Sequence, residues 1–144
     1  MSSDNKIQRR VERRVLPRCP LSTNVDVEIN SRGENLHFTT ASINISLRGI
    51  ELACDDNLIQ AILAQDIYPH ACKIKFRIPG HDKDFEIKTQ VVTHRRLSQH
   101  NYQLVLVFNS ISKSVHEKLL NELASFRLVA MNNIDSAQRT AIAI

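Results

Sequence analysis

The chain has no tryptophan, three glycines, three cysteines and seven aromatic residues among its 144 positions. Each scarcity excludes something. Three glycines do not build a glycine-rich phosphate cradle, and the pattern G-x-x-x-x-G-K-[ST] does not occur. Cys19, Cys54 and Cys72 are odd in number and widely spaced. That suits reduced thiols in a cytosol better than a disulfide framework, so a cytoplasmic location is expected. Neither C-x-x-C nor H-E-x-x-H is present, and the six histidines are scattered, mostly near turns. No metal site and no resident cofactor are therefore expected. The acidic residues fall on solvent faces or in loops such as Asp55-Asp56 and Asp82-Asp84, without a readable catalytic pair, and an enzyme is not expected. No apolar run reaches the roughly 18 residues of a membrane span. The opening "MSSDNKIQRR" lacks the apolar segment of a secretory signal.

What is present is a length that suits one domain and 42% hydrophobic residues, enough for a modest core. The charge is unevenly placed. Lys6, Arg9, Arg10, Arg13, Arg14 and Arg18 face only Glu12 within residues 6–18, a local +5 in a chain whose total is +4. The rest of the molecule is thus close to neutral, at −1. Basicity belongs to one segment, "RRVERRVLPR", and is nearly all arginine. A guanidinium offers a planar fork of donors that fits phosphate oxygens or a guanine edge in pairs.

Residues 1–20 predict an arm, because apolar residues are sparse and Pro17 and Pro20 stop any long helix. Residues 21–129 predict a folded unit dominated by period-two alternation. "NVDVEI" puts Val25, Val27 and Ile29 on one face, "GIELAC" puts Ile50, Leu52 and Cys54, and "CKIKFRI" puts Cys72, Ile74, Phe76 and Ile78. "NYQLVLVF" is apolar on both faces, which suits a central strand or one covered by a helix on its outer side. "SRGE" reads as a turn, and "DDNLIQAILAQ" as a loop with a short helical turn. Six or so short strands between turns predict a mainly β protein, a small antiparallel barrel or sandwich. A helix follows. Ser114-Val-His-Glu117 has the form of a capping box, and Val115, Leu119, Leu123 and Phe126 form an apolar stripe that should pack on the barrel. Residues 130–144 are a tail with no firm signal, disordered or helical.

A second unusual stretch, "NISLRG" at 44–49, sets an amide, a hydroxyl and a glycine at fixed offsets between two strands. Asn44 can donate and accept through one amide, and Ser46 through one rotor. Gly49 permits a positive φ or a close approach by a ligand. Taken alone, the stretch is an Asx- or Ser-type turn.

Together, an R-x-x-x-R arm followed by [D/N]-x-S-x-x-G before a strand resembles the PilZ domain. The resemblance runs from about Arg10 to Leu128, through "ERRVLPR", "NISLRGIEL", "YQLVLVF" and the capped helix. It implies a six-stranded antiparallel β-barrel with a C-terminal helix, and a ligand, the bacterial second messenger cyclic di-GMP. Three arginine pairs have the spacing. The family's second arginine leads directly into the first strand, which selects Arg14 and Arg18. The resemblance then implies ligand contacts from Arg14, Arg18, Asn44, Ser46 and Gly49, with Arg13 auxiliary and Arg10 and Arg48 weaker. Asn44 stands where aspartate is commoner. The implied role is a receptor or adaptor whose arm moves on binding and signals to a protein effector in motility, adhesion or polysaccharide export.

Two other readings stay open on the residues. A basic arm on a small barrel could track a nucleic-acid backbone, although few aromatics and no tryptophan are available for stacking, and DNA or RNA is not expected as a partner. A barrel of this kind could also act through protein contacts alone. The oligomeric state, monomer or dimer, is open as well.

Overall fold

Alternation of apolar and polar residues lays down the wall of a barrel. In the computed structural model, which describes residues 18–142 and the side chains of residues 18–128, the elements run β1 Cys19–Pro20, β2 Asn24–Ser31, β3 Glu34–Ile45, β4 Gly49–Cys54, α1 Asp56–Leu63, β5 Ala71–Phe76, β6 Phe85–Arg96, β7 Tyr102–Phe108 and α2 Lys113–Ile142. Val25, Val27 and Ile29 of β2, Ile50, Leu52 and Cys54 of β4, Cys72, Ile74 and Phe76 of β5 and Leu104, Leu106 and Phe108 of β7 all point inward and are buried. Asp26 and Glu28 of β2 and Lys73 and Lys75 of β5 alternate with them on the outer face. Burying a Val, Leu, Ile or Phe side chain contributes roughly 1.5–3 kcal/mol each, so a one-residue slip in any strand is strongly disfavoured.

All pairings are antiparallel. The order β3-β2-β5-β6-β7-β4 closes on itself because β3 also pairs with β4, which makes a six-stranded barrel. Closure removes the open edges that invite aggregation. The two-residue β1 is the extra strand. It lies against the last residues of β3, with Cys19 opposite Ile45 and Pro20 opposite Asn44. The β2–β3 connection is a two-residue turn in which both Arg32 and Gly33 have positive φ, at 53° and 82°, as a tight hairpin that matches strand twist requires.

Two bulges interrupt the ladders, one between Ser42 and Asn44 in β3 and one between Val91 and Thr93 in β6. Both are invisible to a period-two reading. A bulge inserts one residue, bends the strand and reverses the facing of the residues after it. In β3 it turns Ile45 into the core and Asn44 outward.

The two helices finish the core. Asp55 caps α1 by accepting from the Leu58 N–H at 2.9 Å, and Leu58, Ile59 and Ile62 are buried. The segment is a full two turns and not a loop with one helical turn. The start of α2 also differs from the sequence expectation. Ser112, not Ser114, supplies the cap, its Oγ accepting from the Val115 N–H at 3.3 Å. Ser110, with φ of 47°, turns the chain just before it. The expected stripe does pack: Leu119 and Leu123 are buried, and Val115 and Phe126 lie against the core. Helix α2 continues without a break past residue 130.

Two acidic residues depart from the expected solvent faces. Glu51 and Glu122 are buried, at 5% and 6% exposure. Among the described residues no group of three His, Cys, Asp or Glu is placed to hold a metal ion, and no helix is long and apolar enough to cross a membrane.

The three cysteines are free and buried. Burial pushes all three thiols up, Cys54 from its ordinary 9.0 to about 12, with the nearby Cys72 and Asp55 adding to the effect. The thiolate is the reactive form. Maleimide or dithionitrobenzoate at pH 8 is therefore expected to leave the native thiols unmodified for hours and to label all three at once in guanidinium. The same shift has a sign for stability. The unfolded thiols ionise near 9.0 while folded Cys54 stays neutral, so this contribution is complete below that value and is lost as pH rises toward 12. Rapid labelling of the native protein would contradict both.

Candidate functional site

The turn that joins β3 to β4 is built by Ser46. Its N–H donates to the Gly49 carbonyl at 2.9 Å, and its Oγ accepts from the N–H groups of Arg48 and Gly49 at 3.3 Å each. The hydroxyl thus caps the turn, as the local Ser-turn pattern predicts. Among the described residues its own proton has one acceptor, the Gly49 carbonyl, at a long 3.4 Å. A phosphate or ribose oxygen placed above the turn could accept it instead.

Gly49 answers to the barrel, and the first of the two expected reasons for a glycine does not apply. Its φ is not positive, and what approaches is the chain itself. A Cβ at this position would sit 2.1 Å from the Leu106 carbonyl oxygen and 3.3 Å from Val107 Cα. Strands β4 and β7 pair here, Gly49 opposite Val107, and the Phe108 N–H donates to the Arg48 carbonyl at 2.8 Å. The glycine is what lets β7 close against the turn.

On the outer face above this seam lies a cleft of about 260 Å³. Its walls hold Arg18, Asn44, Ser46, Arg48 and Glu51, and its floor includes Val92, Val105 and Val107. Five of the residues expected to contact a ligand are therefore neighbours: Arg18, Asn44, Ser46, Gly49 and Arg48. Two devices assemble them. Strand β1 ties the last arginine of the basic segment beside Asn44, and the β3 bulge turns Asn44 out of the core. Leu21 continues the tether, its N–H donating to the Ile43 carbonyl at 3.2 Å. Arg14, Arg13 and Arg10 lie outside the described residues.

Glu51 is the residue that sequence reasoning missed. It faces Asn44 across the β3–β4 ladder. Its Oε2 accepts from Asn44 Nδ2 at 2.9 Å and from Gln103 Nε2 at 2.7 Å, and its Oε1 pairs with Arg18 Nη1 at 2.7 Å. The pair is lopsided: the Arg18 side chain is 72% exposed and that of Glu51 only 7%. "GIELAC" presents Glu51 as an ordinary solvent-facing residue. Only its cross-strand neighbours, distant in sequence, reveal a buried carboxylate. The valine floor left one faint sign, the two-sided apolar character of β7. Val105 and Val107 line the cleft, and Val92 stands beside them at the β6 bulge, 61% exposed.

The arrangement suits a planar, anionic ligand. Two guanidinium groups and a hydroxyl can meet phosphate oxygens, an amide can meet a base edge, and three valines offer an apolar bed for a ring. The volume is below the roughly 300–1,000 Å³ of sites that enclose a drug-sized molecule. The barrel by itself would hold part of a larger ligand.

A family model described as the PilZ domain matches residues 8–125. No curated protein matches the sequence. Several solved structures share the fold. The PilZ domain of YcgR from Escherichia coli, solved with c-di-GMP, has a TM-score of 0.62 at 15% identity, over 85% of this chain and 98% of that one. The MrkH–c-di-GMP complex of K. pneumonia has a TM-score of 0.64 at 13% identity, over 82% and 53%. The Bacillus subtilis inhibitor of motility, MotI/DgrA, has a TM-score of 0.61 at 18% identity, over 78% and 50%. The present chain spans about half the length of the last two.

Replacing Gly49 with alanine is expected to push β4 off β7 and lower the unfolding free energy by about 1–3 kcal/mol, the usual penalty of overpacking. Guanidinium denaturation followed by circular dichroism measures it. An unchanged midpoint would mean that the seam relaxes freely.

Proposed function

The chain belongs to the PilZ domain family, and from that membership we propose that it is a receptor for cyclic di-GMP. The observation that supports this most is the meeting of the two motif ends in one cleft, Arg18 from the basic segment and Asn44, Ser46 and Arg48 from the β3–β4 turn. Neighbours of the same fold, YcgR and MrkH, were solved as c-di-GMP complexes.

In this reading the ligand's two phosphates and two guanines are shared between barrel and arm. Arg18, with Arg14 from the arm, bonds phosphate oxygens or the O6 and N7 edge of a guanine. Asn44 and the Ser46 hydroxyl take a base edge or the ribose-phosphate, Arg48 adds charge at the rim, and the valines bed a purine. Arg13 assists, and Arg10 contributes at longer range. Gly49 acts through the shape of the turn. Charge-assisted hydrogen bonds contribute roughly 1.5–3 kcal/mol each. Ordering a backbone residue costs about 1–2 kcal/mol. A ligand that draws even five arm residues onto the barrel therefore binds with moderate affinity and large movement. That movement is the output, a changed surface offered to a protein effector in motility, adhesion or polysaccharide export.

Titration calorimetry with cyclic di-GMP tests the reading. Wild type is expected to bind, Arg14→Ala and Arg18→Ala to bind at least about tenfold more weakly, equivalent to about 1.4 kcal/mol, and Ser46→Ala to lose less. A wild-type protein that gives neither heat nor a melting shift with the dinucleotide, or that shifts single-stranded nucleic acid in a salt-dependent way instead, overturns it.

A further inference from the structure

A buried carboxylate is out of place in a cleft read as a site for an anion. Glu51 is 5% exposed, and among the described residues its polar partners are Arg18 and Asn44, which line the cleft, and Gln103 of the neighbouring β7. We propose that Glu51 is an internal counter-anion, which holds Arg18 until the ligand's phosphate takes the guanidinium over and which requires an amide, not an acid, at position 44. The inference rests on the reading of the cleft as a cyclic di-GMP site.

Three observations carry it. First, the ion pair is made to be exchanged. Arg18 reaches Glu51 through one nitrogen, Nη1, and the rest of its side chain stands in solvent. A guanidinium has five donors in a planar fork and binds a phosphate in pairs, so a phosphate in the cleft offers Arg18 more than Oε1 does. Second, Glu51 is not stranded when Arg18 leaves. Its Oε2 keeps the amide hydrogens of Asn44 and Gln103, at 2.9 and 2.7 Å. A buried charge without such donors would hold its partner far more tightly. Third, Asn44 stands directly opposite Glu51 in the ladder. A carboxylate only accepts, so the amide must turn its NH₂ toward Glu51 and keep its oxygen for other partners. An aspartate at 44, the commoner residue of the [D/N]-x-S-x-x-G pattern, would set two like charges across one strand pair, which is destabilising. Glu51 accounts for the asparagine.

Glutamine at 51 separates these roles. Its carbonyl can still accept from Asn44 and Gln103, while its NH₂ cannot pair with Arg18. Glu51→Gln is expected to bind cyclic di-GMP at least about threefold tighter than wild type, a typical coupling between neighbours, in calorimetric titrations at fixed salt. The gain should vanish when Arg18→Ala is added. Affinity equal to or weaker than wild type, or a gain that persists without Arg18, overturns the exchange. Melts without ligand test the second half. Asn44→Asp should lower the melting temperature, and Asn44→Asp combined with Glu51→Gln should regain most of the loss. An Asn44→Asp protein as stable as wild type, or one that Glu51→Gln does not rescue, overturns the pairing. If wild type takes up no cyclic di-GMP, the functional reading and the exchange fall together. A flat Glu51→Gln result against a wild type that binds removes the exchange alone.

Discussion

The close approach of two backbones at Gly49 governs the rest of this structure. Strand β7 brings the Leu106 carbonyl to a point that a side chain on residue 49 would occupy, and the turn from Ser46 to Gly49 closes over that contact. Strand β4 pairs with β7 through this seam and with β3 on its other side, so the barrel closes through β4. The cleft lies directly above it. A looser seam would weaken the closure and spread the groups that line the cleft. Gly49 is thus tied to the cleft through the geometry of the seam.

The bulge in β3 does the complementary work. A regular strand would carry the inward phase of Phe38 and Ser42 on to Asn44 and bury its amide. The inserted residue reverses the phase, sends Ile45 inward and leaves Asn44 facing Glu51 on the outer wall. Strand β1, only two residues long, then occupies the part of β3 that β2 leaves unpaired and delivers Arg18 to the same place. Three local departures from regular strand geometry, a glycine contact, a bulge and a stub of strand, converge on one cleft. Irregularities of this kind gather where side chains have to be re-aimed.

Electrostatics sets the tone of the cleft. Arg18 and Arg48 are exposed and Glu51 is not, so an arriving anion meets positive charge first and the carboxylate is screened from it by the amides of Asn44 and Gln103. An ion pair between an exposed guanidinium and a buried carboxylate is held on one side only. The carboxylate is held by the sheet, and the guanidinium side chain extends into solvent.

By itself the sequence determined the barrel's wall, because burial of alternate side chains is a local and repeated signal: Val25-Val27-Ile29, Ile50-Leu52-Cys54 and Leu104-Leu106-Phe108 each name their own inner face. It also determined the stripe of α2, the apolar thiols, and the two short motifs that align with a known family. What only the tertiary structure decided are the features that depend on residues far apart in the chain. Nothing near Gly49 announces that Leu106 will lie against it. Nothing near Glu51 announces that Arg18, Asn44 and Gln103 will surround it, and no period-two count locates the extra residue at Ile43. Ser112 displaced Ser114 as the helix cap because the turn at Ser110, not the capping pattern, sets where the helix begins. Side-chain periodicity is written residue by residue, whereas bulges, close approaches and buried charges arise from pairings between strands, and the chain reveals those only once it has folded.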